Sequence, residues 1–195
     1  IKTKFRPLIQ LDIDRKYEMA LVNLETYFSF PNMDSSNHNF RYSSDNGATW
    51  VNINIPEGSY ELVDINEYIQ RIMRENGHYD STSDEYNITL EANNNTLKSV
   101  LNIAANYMVD FTPENSVRSV LGFNALIYSS GYNESENIVN ILSVTSLRIT
   151  SDIIGSSYSN GSNENTIYSF FPSVGRPGYK IIEVPVNLVY LPITM

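Results

Sequence analysis

Apolar and polar residues alternate along much of this 195-residue chain, and turn signals interrupt the alternation every 8 to 15 residues. Successive side chains of a strand point to opposite faces, so this rhythm describes sheets with one buried and one wet face. Leu8 to Ile13 and Tyr17 to Phe28 read as the first strands, followed by a polar loop from Pro31 to Asn39. Phe40 to Tyr42 and Thr49 to Ile55 flank Ser43-Ser44-Asp45-Asn46-Gly47, whose Asn-Gly pair supplies the positive φ angles of a tight hairpin. In the second of these strands Trp50, Asn52 and Asn54 share one face, and Val51, Ile53 and Ile55 the other. Ile88 to Glu91 and Thr96 to Ala104 form a further pair across Asn93-Asn94-Asn95. Ile138 to Ser151, Thr166 to Phe171, Tyr179 to Val184 and Leu188 to Ile193 complete the strands, with an exposed polar loop over Gly155 to Asn165. Prolines at 172, 177, 185 and 192 punctuate the last strands, and Val184-Pro185 and Leu191-Pro192 are expected to stop edge pairing.

Two stretches change period. Leu62, Ile65, Ile69 and Ile72 fall at helical spacing, with Asp64 early, Arg71 and Arg74 late, and Asn76-Gly77 as the stop. Pro113 to Leu121 reads as a short helix with Thr112 as N-cap and Gly122 as its end. Gly58 and Gly122 sit where the chain must turn sharply. Eight to ten strands, one or two short helices in the connections, no internal repeat and no linker predict an all-β class. The expected architecture is a single antiparallel jelly-roll sandwich, with residues 1–195 as one domain.

Composition narrows the function. With 42% apolar residues and 12% aromatics the chain can bury a core. No apolar run approaches the roughly 18 residues of a membrane-spanning helix, and the charged start lacks the apolar core of a signal peptide. A start at Ile1 rather than Met leads us to expect natural ends outside this chain. Cysteine is absent, which removes disulfides and thiolate metal sites and suits a reducing cell interior. The net charge of −9 argues against nucleic-acid binding across the whole surface. The charge is uneven, however: Lys2, Lys4, Arg6, Arg15 and Lys16 place five of thirteen basic residues in the first sixteen. They form either a solvated end or a basic arm that docks on an acidic neighbour or faces packaged nucleic acid.

The chemistry of catalysis is thinly represented. His38 and His78 are expected as surface residues of polar loops, and Asp12-Ile13-Asp14 lacks the remaining ligands of a calcium loop. No Gly-x-Ser-x-Gly elbow and no phosphate-cradling glycine loop occurs. Glu57, Glu61, Asp64 and Glu67 cluster where the first helix begins. A carboxylate pair there could hydrolyse glycosides, but acids in a first turn also serve the helix dipole. The fourteen tyrosines suit either sugar platforms or the filling of strand faces and interfaces; Tyr17, Tyr60, Tyr68, Tyr168, Tyr179 and Tyr190 fall in or beside expected ordered elements. We expect no catalytic residue, metal or cofactor.

Several phrases in order carry a family resemblance. Tyr17-Glu18-Met19-Ala20-Leu21-Val22 leads to Glu25-Thr26-Tyr27 and Pro31-Asn32, and Ile55-Pro56-Glu57-Gly58-Ser59-Tyr60-Glu61 runs into Asp64-Ile65-Asn66. Ile88 to Lys98, Val109-Asp110-Phe111-Thr112, Ser116 and Leu121-Gly122-Phe123 follow. Val139-Asn140-Ile141, Leu147-Arg148-Ile149, Gly178 to Pro185 and Val189-Tyr190-Leu191-Pro192 close the series. From about Phe5 to Ile193 the chain resembles the jelly-roll capsid proteins of Maverick/Polinton elements and adintoviruses. The resemblance implies a subunit of an icosahedral virion shell around double-stranded DNA, assembled inside the host cell. A length of one jelly roll implies the penton-like minor capsid protein, a pentamer at the vertices, since the major capsid protein carries two. Its implied partners are copies of itself, the major capsid protein and packaged DNA through the arm. Family members continue past the Tyr-Leu-Pro phrase with a strand region rich in Asp, Gly and Arg, which this chain, ending at Met195, does not show. A carbohydrate- or receptor-binding jelly-roll module is the competing reading.

Overall fold

The computed structural model describes residues 9–80, 85–141, 144–154, 157–159, 162–172 and 178–194. Their strands begin with β1 (Glu18–Met19), β2 (Leu24–Tyr27), β3 (Asn39–Ser43) and β4 (Val51–Asn54). Helix α1 (Leu62–Glu75) precedes β5 (Tyr79–Asp80), β6 (Glu85–Tyr86), β7 (Ile88–Asn93), β8 (Lys98–Ile103) and β9 (Met108–Asp110). Helix α2 (Arg118–Leu121) precedes β10 (Ile127–Tyr128), β11 (Gly131–Glu134) and β12 (Leu147–Thr150). The chain closes with β13 (Ser157–Ser159), β14 (Ser162–Glu164), β15 (Thr166–Phe170), β16 (Lys180–Glu183) and β17 (Leu191–Pro192). Every strand pair among them is antiparallel, so the expected class of antiparallel strands with two helices in the connections is the one adopted.

The residues gather into two compact units. One comprises residues 28–144 and 175–178, the other residues 1–27, 145–174 and 179–195. The larger unit holds a four-stranded sheet of order β10-β9-β3-β4 and a three-stranded sheet of order β11-β8-β7. Phe40, Tyr42, Ile53 and Val109 from the first sheet and Ile88, Leu90, Leu101 and Ile103 from the second share one core with Ile65, Ile69 and Met73 of α1. The expected faces of β4 hold: Ile53 and Ile55 are buried while Asn52 and Asn54 are exposed. The β3–β4 connection uses Asn46 at φ 55° and Gly47 at φ 88°, and Gly77 at φ 72° follows the end of α1. The smaller unit is built from the two-stranded pairs β1-β17, β2-β16, β12-β15 and β13-β14, and it buries Ile154, Phe170 and Ile181.

Several expected elements are corrected. Residues 9–13 form no strand, because alternation supplies a face but not the partner edge that a ladder requires. The stretch from Tyr17 to Phe28 divides into β1 and β2, and Leu188 to Ile193 contracts to β17. Among the described residues of Ile138 to Ser151, only Leu147–Thr150 is strand. Val139 N–H is spent on the Leu97 carbonyl (2.9 Å) and Asn140 N–H on that of Val120 (2.8 Å), so this segment ties the β7–β8 turn to α2. Helix α2 starts at Arg118 rather than Pro113, since Asn115 adopts φ 57° and Thr112 N–H is held by Asp110 Oδ1 at 2.7 Å. Pro192 does not stop pairing: it faces Glu18, and Ile193 N–H continues the contact to the Tyr17 carbonyl at 2.9 Å. Gly58 is no left-handed turn but a backbone partner of Met33, with 3.0 Å bonds in both directions. The loop expected over Gly155 to Asn165 contains the β13–β14 hairpin, and its remainder falls partly outside the described residues.

Candidate functional site

Of the basic arm, Lys2, Lys4 and Arg6 lie outside the described residues, whereas Arg15 and Lys16 are exposed. Arg15 closes a turn on Asp12, with N–H to carbonyl at 3.1 Å and Nε to Oδ2 at 3.5 Å. Both side chains are largely in water, so this ion pair adds little stability. Asp12 N–H donates to the Tyr17 hydroxyl at 3.1 Å, which ties the turn to the start of β1. Arg15 and Lys16 therefore leave their charges to solvent, and neither points into a pocket.

The acidic cluster separates by role. Asp64 accepts the Glu61 N–H at 2.7 Å, a reciprocal cap on the first turn of α1, which accounts for both residues without catalysis. Asp64 and Glu67 also line an open groove along α1 with Pro56, Tyr60, Tyr68, Gln70, Arg71 and Arg74. Tyr68 donates to the Asn54 carbonyl at 2.7 Å, and its ring lies 4.6 Å beneath the Arg71 guanidinium. Arg74 sits 5.8 Å over Tyr86. The Tyr68 face is thus already covered by a cation and is a poor sugar platform. Burial raises the Tyr60 phenol, and the neighbouring Tyr68 adds to the rise. The groove can hold a polar ligand, but it presents no nucleophile oriented by a base.

Neither histidine is the surface residue expected; both are half-buried. The Tyr42 hydroxyl meets His78 Nδ1 at 2.8 Å, and Ser44 Oγ meets Nε2 at 3.2 Å. Burial, with Tyr107 nearby, pushes the Tyr42 phenol up to about 12, so Tyr42 stays protonated and can donate to the imidazole. Tyr42 and Tyr107 both stand edge-on to the ring, and this packing makes His78 a member of the wall beyond α1. Among the described residues no three His, Asp or Glu side chains converge as a metal site, and no helix is long and apolar enough to cross a membrane.

Sequence reasoning missed the polar clamps of the larger unit, because their partners lie far apart in the chain. Fully buried Asp110 receives Arg41 Nε at 2.7 Å across 69 positions, while the Arg41 guanidinium lies 4.9 Å over Trp50. Asn32 accepts the Tyr60 N–H at 2.9 Å and donates to the carbonyls of Tyr60 and Ile141 at 2.7 and 3.0 Å. The Pro31-Asn32 and Glu57 to Glu61 phrases are physically joined there.

Comparison with known proteins gives little at the sequence level: no family model and no curated protein matches the chain. Among solved structures the chain is similar to the crystal structure of the SeMet-labeled mavirus penton protein. That similarity covers 97% of this chain and 76% of the other, at 12% identity and a TM-score of 0.47.

Proposed function

We propose that the chain is a structural subunit of a viral-type capsid, the penton-like minor capsid protein forming pentamers at the vertices of an icosahedral double-stranded DNA shell. The ordered series of phrases resembling Maverick/Polinton and adintovirus capsid proteins, from Phe5 to Ile193, carries this reading. In it residues 1–195 act as one jelly-roll domain with no catalytic task. Its partners are further copies of itself and a major capsid protein, and its place is the virion. The basic residues of the arm are available to an acidic neighbour or to packaged DNA. Two structural features support the reading. The phrases supply backbone-holding groups such as Asn32, Asp110 and Gly122. The smaller unit also exposes many large apolar side chains, as subunit surfaces do.

Light scattering of the purified chain, with electron microscopy of any particles, tests the proposal. A pentamer or closed shell is expected. A strict monomer that binds glycans would sink the proposal in favour of a carbohydrate- or receptor-binding module.

A further inference from the structure

Residues 9–13 carry an apolar row that the chain itself leaves bare. Ile9, Leu11 and Ile13 are 63, 37 and 82% exposed, Ile13 within the Asp12–Arg15 turn, and no strand pairs with them among the described residues. Apolar side chains so exposed gain stability only by covering other apolar surface. A second bare face lies in the same unit. In the β2–β16 ladder Tyr27 stands opposite Lys180 and Glu25 opposite Ile182, so these four side chains share a face. Val184 directly follows the end of β16. Tyr27, Ile182 and Val184 are 62, 54 and 61% exposed, whereas Ile181 on the reverse face is buried.

We propose that the Ile9–Ile13 row of one copy docks on the Tyr27–Ile182–Val184 face of a second copy of this chain. The inference rests on the reading of the chain as a self-assembling subunit. The row is apolar, and the face sets Tyr27, Ile182 and Val184 around the Lys180–Glu25 ion pair, whereas nucleic acid is held mainly by lysines and arginines on phosphate. Charge points the same way. The first sixteen residues hold five basic and two acidic side chains, and the rest of the chain eight basic and twenty acidic. A segment of net positive charge is therefore drawn to the acidic body of another copy. Because row and face are different surfaces, the contact is head-to-tail and closes into a ring when the rotation permits.

The chain has no cysteine, so introduced thiols report cleanly. Copies carrying Leu11→Cys are mixed with differently tagged copies carrying Ile182→Cys and oxidised mildly. The control replaces the second variant by Leu97→Cys, an exposed position in the turn between β7 and β8. A covalent heterodimer is expected to form about a hundred-fold faster than in the control, as thiols held at millimolar effective concentration would. Cross-linking no faster than the control overturns the docking, as does a variant carrying both cysteines that bridges only within one copy. Loss of DNA retention with unchanged mass on deletion of residues 1–16 also overturns it, in favour of nucleic acid. The mass of the unoxidised sample separates the two levels. A multimer without the cross-link sinks the docking alone, while a monomer at every concentration sinks the capsid reading with it.

Discussion

Gly122 follows α2 at φ +83°, and a Cβ built there would lie 2.3 Å from the carbonyl oxygen of Asn137. An alanine must therefore bear both a left-handed backbone and a clash with main chain that is itself fixed by Asn137 N–H on the Gly122 carbonyl at 2.9 Å. Gly122→Ala is expected to cost about 3 kcal/mol or more. Gly77→Ala, at φ +72° with nothing within 4 Å, should cost only about 1 kcal/mol. Urea unfolding of the two variants checks the contrast, and equal losses would refute the role of Asn137. Asp110 makes a second case. Burial raises its carboxyl, but hydrogen bonds from Thr112 and then Arg41 outweigh burial and leave it below its ordinary value of 3.8. A carboxylate with a lowered folded pKa stabilises the fold above the unfolded value, and that contribution is lost as pH falls through the folded one. Asp110→Asn is expected to cost about 2 kcal/mol at neutral pH, the lower range for a broken charge pair because Arg41 is partly in water. The variant should also lose less stability than wild type on titration from pH 5 to about 2. Thermal melts across that range measure it. Left-handed glycines are legible in sequence because their cause is local. The Arg41–Asp110 pair spans 69 positions and is not, and neither is Leu97, which holds φ 57° where the preceding asparagines made the better candidates.

At the scale of elements, α1 was readable because nearly everything that defines it lies within its own length. Ile65, Ile69 and Met73 are buried on one stripe, Asp64 caps the start and Gly77 follows the end. What its sequence conceals is its task beyond packing. The Asn66 side-chain oxygen accepts the Leu90 N–H at 2.8 Å on β7, the edge strand of its sheet. An edge donor beside a buried side chain needs such a partner. Asn66→Ala should cost about 1–2 kcal/mol and speed hydrogen exchange at the Leu90 amide, whereas Asn66→Asp, which keeps the acceptor, should preserve the protection. An unchanged Leu90 exchange rate in Asn66→Ala would show the bond to be idle. Strand limits were less readable than the helix because partners set them. The same alternation that marks β4 correctly also marks residues 9–13, which find no edge, and residues 138–141, where the amides of Val139 and Asn140 serve the β7–β8 turn and α2 instead.

For the whole molecule, the arm was legible as charge and illegible as surface. Its five basic residues stand out in sequence, yet the exposed apolar row beside them became meaningful only once residues 9–13 proved to have no strand partner. Charge and apolar area then predict opposite responses to salt. Without its first sixteen residues the chain keeps eight basic and twenty acidic side chains, so truncated copies repel one another. Added salt screens that repulsion over a Debye length of about 10 Å at 0.1 M, and association of the truncated chain should rise with ionic strength. In the intact chain salt also screens the attraction between the positive arm and the acidic body of the next copy. Its association should therefore rise less steeply with salt, or fall. The difference in slope between the two chains, read from light-scattering mass between 0.05 and 0.5 M salt (roughly a three-fold change in Debye length), isolates the arm's electrostatic share from its apolar share. Parallel slopes would mean that the basic residues take no part in contacts between copies, leaving Ile9, Leu11 and Ile13 to act through burial alone.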